Sequence, residues 1–377
     1  MNSFILKTTK SSFIVILCLW SIFLLTNLSA NEKMSDKIFI NGDFRLRYQW
    51  EHKDGNEIRN RGRIRFRING KALVNDKFKI GFGIATGGND PRSTNQTFGD
   101  FFSTKNIMLD YAYGEYREKY ISFVGGKYKR KVAIWTPDSL LWDGDINPEG
   151  LSLIFKREYN PFKLFVSING FVLNELKSTT KEPYMYTGQL GVLKDFSKTV
   201  SLRFAVNYYG FVNINKQSNI PNSKGTNTVI TNSDLKYLKY DYKVSNISLE
   251  LSLTNILFEK IKLFADYAQN IYLPIADTIE YNKAYLLGFK VGKAKLKKIG
   301  DYQLKYTYRY IGADAWLDIL PNSDFYGGST DVKGHSVSGS FLFIKHTTLG
   351  VTYFYATRIN ETNSLEKLIQ VDLVTKF

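Results

Sequence analysis

The chain has 377 residues, with 51 Lys and Arg against 35 Asp and Glu and a formal net charge of +16 at pH 7. Its single cysteine, Cys18, falls in an N-terminal apolar run, so the rest of the chain can form neither disulfides nor thiolate metal sites. Beyond residue 30 no apolar run reaches the length of about eighteen residues that a spanning helix needs, which excludes a helical membrane protein.

At the start, Lys7 and Lys10 precede the apolar "SFIVILCLWSIFLL", and the small residues of "LSA" lead to Asn31. That order reads as a secretory signal peptide over residues 1–30, with Ala30 the last residue removed. A single membrane anchor is the rival reading, because the run is close to the lower limit for a span. Cys18 lies between Leu17 and Leu19, whereas lipoprotein processing prefers small residues there. Cleavage removes two lysines and leaves 16 − 2 = +14 on residues 31–377, which read as one domain without a linker.

From residue 38 onward the apolar residues recur with period two. In "IFINGDFRLRYQW" the even positions hold Ile38, Ile40, Phe44, Leu46, Tyr48 and Trp50, and the odd ones Asn41, Asp43, Arg45, Arg47 and Gln49. Next, "RNRGRIRFRING" sets Ile64, Phe66 and Ile68 against Arg59, Arg61, Arg63, Arg65 and Arg67. The pattern returns in Phe78, Ile80, Phe82 and Ile84, in Val200, Leu202, Phe204 and Val206, in Tyr302, Leu304, Tyr306 and Tyr308, and in Leu349, Val351, Tyr353 and Tyr355. Segments near 38–50, 58–74, 77–87, 106–117, 120–131, 150–157, 162–174 and 184–194 make up the first half. Those near 199–212, 241–254, 260–272, 282–293, 301–312, 334–345, 348–358 and 365–377 bring the total to about sixteen predicted strands.

Connections alternate in length. "ND" at 75–76, "NP" at 160–161, "DFSK" at 195–198 and "KH" at 345–346 are tight turns, whereas 88–105, 132–149, 213–240 and 313–333 are long and polar. Short turns at one rim and long loops at the other predict an all-β fold, a transmembrane antiparallel β-barrel of the outer-membrane type. An even strand number puts both termini at the short-turn rim.

If the apolar parity faces lipid, Arg45, Arg47, Arg59, Arg61, Arg63, Arg65 and Arg67 point into the lumen, and Lys71, Lys77 and Lys79 extend the basic patch. The opposite register costs roughly 2 to 4 kcal/mol for each arginine near the membrane midplane, on the order of 10 kcal/mol for the set. In a water-filled lumen neighbouring arginines about 7 Å apart repel by only roughly 0.6 kcal/mol. The ladder thus requires an aqueous interior, and such a wall raises the local anion concentration. The plainer alternative is that these arginines pair with acids such as Asp43, Asp110 and Glu115.

The stretch "SLLWDGDINPEG" follows "GGKYKRKVAIWTPD" and precedes the strand "LSLIF". Leu140, Leu141, Trp142, Asp143, Asp145, Asn147, Pro148, Glu149 and Gly150, with Gly126 and Lys127 upstream, resemble a motif of the putative porin family of diderm bacteria. "FRLRYQWE", "GRIRFRI" and "LDYAYGEYR" look like that family too, and the end "LIQVDLVTKF" resembles the C-terminal signature that the barrel-assembly machinery reads, with Phe377 last. "KRKVAIW" departs from the Asn-Pro-Phe-Trp often found in the family at that point. The resemblance implies an outer-membrane diffusion channel whose third long loop, residues 132–149, folds inward. Trp142, Asp143, Asp145, Asn147 and Glu149 are then the constriction-loop candidates, with the three acids facing the basic wall. The turn-forming chemistry of Asp, Asn, Pro and Gly accounts for the same motif without any solute role.

An outer-membrane enzyme needs a histidine beside a nucleophile; His52, His335 and His346 stand in no such arrangement, and His335 and Ser336 are strand neighbours that point to opposite faces. A soluble nucleic-acid-binding protein is suggested by the charge but opposed by the leader and by the strict alternation of the arginines. No cofactor motif or metal cluster is present in the sequence, and no nucleic-acid partner is expected. The reading is therefore an outer-membrane porin that passes small hydrophilic solutes with anion preference, in contact with outer-membrane lipid and possible as a homotrimer. A phosphate-selective channel is the alternative, and an adhesin barrel a more distant one.

Overall fold

The period-two pattern closes on itself. The computed structural model of the protein describes residues 37–177, 181–256, 259–272 and 281–377; the expected leader, 1–30, lies outside them. Among the described residues sixteen strands of seven residues or more form one antiparallel sheet. They are β1 (Ile38–Lys53), β2 (Arg59–Leu73), β3 (Phe78–Thr86), β4 (Ile107–Glu118), β5 (Ile121–Lys127), β6 (Glu149–Tyr159), β7 (Phe162–Val172) and β8 (Tyr184–Asp195). The second half comprises β9 (Val200–Val212), β10 (Lys243–Ile256), β11 (Glu259–Asn270), β12 (Lys283–Gly292), β13 (Tyr302–Ile311), β14 (Val332–Ile344), β15 (Thr347–Arg358) and β16 (Glu366–Lys376). β16 pairs back onto β1, from Asp43 opposite Lys376 to Lys53 opposite Glu366. Among the described residues each of the sixteen barrel strands is thus paired on both sides, which is the condition for strands to cross lipid.

Burial runs inside out relative to a water-soluble protein. On β1 the apolar positions Phe44, Leu46 and Tyr48 are exposed at 39%, 39% and 51%, while Asp43, Arg45, Arg47 and Gln49 between them are buried. The same alternation appears on β6, where Leu151 and Leu153 are exposed and Ser152 and Ile154 are buried. The outward parity forms the apolar belt; the inward parity is polar along β1, as the sequence predicts, and apolar where residues such as Ile154, Phe171 and Met185 join a buried cluster with the 128–148 loop.

The rims differ as expected. At one rim the described connections 74–77, 119–120, 160–161, 196–199 and 345–346 are short, and at the other 87–106, 128–148, 213–242 and 312–331 are long. The 213–242 connection carries a small hairpin, Val229–Asn232 with Leu235–Leu238, and Gln96–Thr97 adds a two-residue strand to β2. The chain end seals the seam between β1 and β16. Gly42 N–H donates to the Phe377 carbonyl at 2.8 Å, Phe377 N–H donates to the Gly42 carbonyl at 3.1 Å, and the Phe377 ring stacks on Phe66 with centroids 6.0 Å apart.

β5 ends at Lys127, four residues before the predicted end of that strand at 131, so the third long loop is 128–148. Two glycines set its stems. Gly126 (φ +116°) and Gly150 (φ +154°) face each other across β5 and β6, and a Cβ on either would run into the neighbouring strand's backbone, at Ala112 and Gly170 respectively.

Candidate functional site

The inward faces of β1 and β2 carry the arginines, with Asp43 of β1 and Asp372 of β16 among them. Asp43 lies between two of them: its Oδ1 accepts from Arg65 Nη2 at 2.6 Å and its Oδ2 from Arg67 Nε at 2.9 Å. Arg47 donates to both oxygens of Asp372 at 2.7 and 2.8 Å, the two-pronged geometry that guanidinium offers a carboxylate, and reaches Asp324 at 3.2 Å. Arg61 pairs with Glu51 at 2.5 Å, and Arg45 hydrogen-bonds Asn95 and lies 3.9 Å from Asp372. Arg63 donates to neutral acceptors, Gln49 Oε1 at 3.3 Å and Ser93 Oγ at 3.4 Å. Arg59, at the long-loop end of β2, is exposed.

The 128–148 loop crosses the barrel interior and is held at each step by an inward side chain of the wall. Tyr128 OH shares a 2.5 Å hydrogen bond with Ser152 Oγ on β6. Gln189 of β8 clamps the Trp135 backbone, accepting from its N–H at 2.9 Å and donating to its carbonyl at 2.7 Å. Farther along, Asp138 pairs with Lys305 at 2.9 Å and Arg309 at 3.4 Å, both from β13, and Arg309 also donates to Ser139 Oγ at 3.2 Å. Burial alone would raise the Asp138 carboxyl, yet Lys305 and Arg309 hold it well below the usual carboxylate range. The loop then returns toward β2 and β4.

On that return the motif residues separate by role. Leu140, Leu141 and Trp142 are almost fully buried, with Trp142 packed 5.8 Å from Trp316 of the 312–331 loop and 6.2 Å from Tyr209 of β9. Trp142, on the loop named as the constriction candidate, is a packing residue between two loops and the wall. Asp143 does not face the arginines either. It is 5% exposed, its Oδ1 accepts from Asp145 N–H at 2.8 Å and its Oδ2 from Ser323 N–H at 2.7 Å, so it shapes the turn and ties the two loops together. Burial pushes its carboxyl up to about 6.

Asp145 Oδ1 lies 3.5 Å from Arg67 Nη1, and Asp145 also accepts from Thr94 Oγ1 at 3.1 Å. Asn147 donates to the Asp110 carboxylate at 2.6 Å; Asp110 is the extra residue where the β3–β4 register slips, so Asn147 pins the loop to a bulge. Glu149 is a further correction. It shares the outward parity of Leu151 and Leu153, pairs with Lys127 at 2.7 Å, and so stands at the outer rim instead of across the lumen from the arginines.

The second acid opposite the ladder is Asp324, from a loop that strand periodicity gives no reason to choose. Its partners, Arg47 and Gln370, project from the wall. The 312–331 loop is itself fixed by two buried acids: Asp314 accepts from Thr228 N–H at 2.9 Å and Tyr242 OH at 3.1 Å, and Asp318 from Lys224 and Thr226 N–H at 2.9 and 3.0 Å. Arg92 of the 87–106 loop, fully buried at its side chain, donates to the carbonyls of Asp318, Gly328 and Asn222 and thereby joins three loops. Lys305 and Arg309 were legible as inward charges on the parity of "YQLKYTYRYI"; their partner Asp138 was not.

A closed antiparallel barrel with an apolar belt, a charged interior and an infolded third long loop defines a channel of the outer-membrane porin class. The model of the putative porin family matches residues 26–259 and 239–377, and the chain belongs to that family. Among solved structures, Salmonella typhi OmpF in complex with daunomycin is 11% identical, with 90% of this chain and 97% of that one covered and a TM-score of 0.53. A loop L8 deletion variant of OmpT, an outer membrane protein of Vibrio cholerae, is 12% identical at 90% and 99% coverage with a TM-score of 0.50. At that identity the likeness shows the barrel fold alone. No curated protein matches the chain.

Proposed function

We propose that this outer-membrane porin is a passive diffusion channel for small hydrophilic solutes with a preference for anions. The observation that carries the anion preference is the mismatch between cations and acids on the inward faces. Arg47, Arg61, Arg65 and Arg67 each face a carboxylate, but Arg63 meets neutral acceptors. The arginines next to acids are the plainer alternative realised in part, and selectivity then rests on the positive charge left over. Asp145 and Asp324 opposite Arg67 and Arg47 would set a transverse field that orients dipolar solutes.

In this reading the leader 1–30 exports the chain, the short-turn rim faces the periplasm, and Phe377 is read by the barrel-assembly machinery. A homotrimer is the assembly that accompanies an infolded third loop in the porin class. The test is reversal potential across a planar bilayer under a salt gradient. Chloride-directed reversal that weakens on Arg63→Gln supports the reading, and a cation-directed reversal refutes it.

A further inference from the structure

Beneath the Arg130–Val132 turn of the 128–148 loop, toward the short-turn rim, lies a cavity of about 180 Å³ that none of the contacts above uses. Its charged lining is Lys79 of β3, Glu115 and Arg117 of β4, Lys156 of β6 and Lys131 of the loop, with Ser122 of β5 beside them. Glu115 is buried at 3% exposure, and both of its oxygens are engaged, by Lys79 Nζ and Arg117 Nη2 at 2.6 Å each. Four cations thus meet one carboxylate, a surplus of 4 − 1 = 3 positive charges. The side-chain ammonium groups of Lys131 and Lys156 make no hydrogen bond or ion pair among the described residues; Lys156 is tied through its backbone, whose N–H donates to the Tyr120 carbonyl at 2.8 Å.

We propose that this cavity binds a small multivalent oxyanion, of the phosphate or dicarboxylate kind, as a station between the constriction and the short-turn rim. Ammonium groups that converge from a loop and the strand wall, and that have no acid of their own, favour a ligand that carries more than one charge over chloride. Ser122 Oγ accepts from Arg117 Nε at 3.2 Å, which leaves its O–H free to donate into the cavity. The station in transit rests on the channel reading; the binding itself does not.

The refolded barrel in detergent, checked for heat-modifiable gel mobility, is titrated with inorganic phosphate and, separately, succinate by calorimetry at low salt. Saturable binding weakened at least about tenfold in Lys131→Gln/Lys156→Gln, but kept in a rim control of equal charge loss, Lys177→Gln/Lys236→Gln, is the expected result. Absence of saturable binding to both anions, or equal binding by the folded cavity variant, would overturn the site. Binding without single channels in a bilayer would remove the channel reading and leave the site standing.

Discussion

Asp138→Asn tests whether the wall of the barrel seats the infolded loop. The carboxylate is 9% exposed at its side chain and faces Arg309, which is 2% exposed, and Lys305, which is 30% exposed. Removing one partner from a buried ion pair costs roughly 3 to 5 kcal/mol, because the other charge is left without compensation, and the partial exposure of Lys305 argues for the lower end. About 3 kcal/mol corresponds to roughly a hundredfold change in the balance between seated and displaced loop near residue 138. The other tethers, at Gln189, Ser323 and Asp110, stay in place, so the barrel itself assembles normally.

The expected outcome is noisier open-channel current and faster entry of larger uncharged sugars into liposomes, with unchanged heat-modifiable mobility. Because Asp138 is held below the usual carboxylate range, the stability it contributes is present above the unfolded carboxylate value and lost only as pH falls through its low folded value. The wild-type seating through this pair is therefore flat between about pH 5 and 8. A double-mutant cycle with Arg309→Gln isolates the coupling. Unchanged sugar cut-off and current noise in Asp138→Asn would show that β13 does not hold the loop.

Asp143 gives a pH dependence of opposite sign. Its carboxyl is pushed up to about 6 from an ordinary 3.8, so the folded state holds the proton more tightly, and this contribution is full below 3.8 and lost as pH rises through about 6. Loop noise should then be lower at pH 4.5 than at pH 7.5, and Asp143→Asn should abolish the difference; a variant that keeps it would place the titration elsewhere. Phe377→Ala removes the ring stacked on Phe66, worth about 0.5 to 1.5 kcal/mol at the seam, together with the terminal aromatic of the assembly signal. Outer-membrane levels of that variant should fall, and normal levels would sink the signal reading.

The strand pattern was legible because lipid and water impose opposite requirements on alternate residues, and a shift of one position would move every arginine of β2 into the apolar belt. Alternation in "FRLRYQW" and "RGRIRFRI" therefore specified which residues face the lumen, and the alternation of short and long connections specified the rims. Which acid meets which arginine was not so specified. Asp43 and Asp372 share inward parity with the ladder, but their pairing depends on the register of β1 against β2 and β16, which the closure of the ring decides.

The loop motif was the harder case. Its Asp, Asn, Pro and Gly suit tight turns as well as a charged constriction, and local chemistry cannot choose between them. Tertiary structure divided the motif residue by residue: Asp145 went to the arginines, Asp143 and Trp142 into contact with the 312–331 loop, Asn147 to the bulge at Asp110, and Glu149 to the outer rim. Asp324 joined the acidic side because a loop nearly two hundred residues away in sequence folds into the same lumen. The sequence by itself determined a ring of strands with water inside, since that follows from one-dimensional periodicity. Where uncompensated charge remains within that ring depends on three-dimensional pairing, and only the folded barrel decided it.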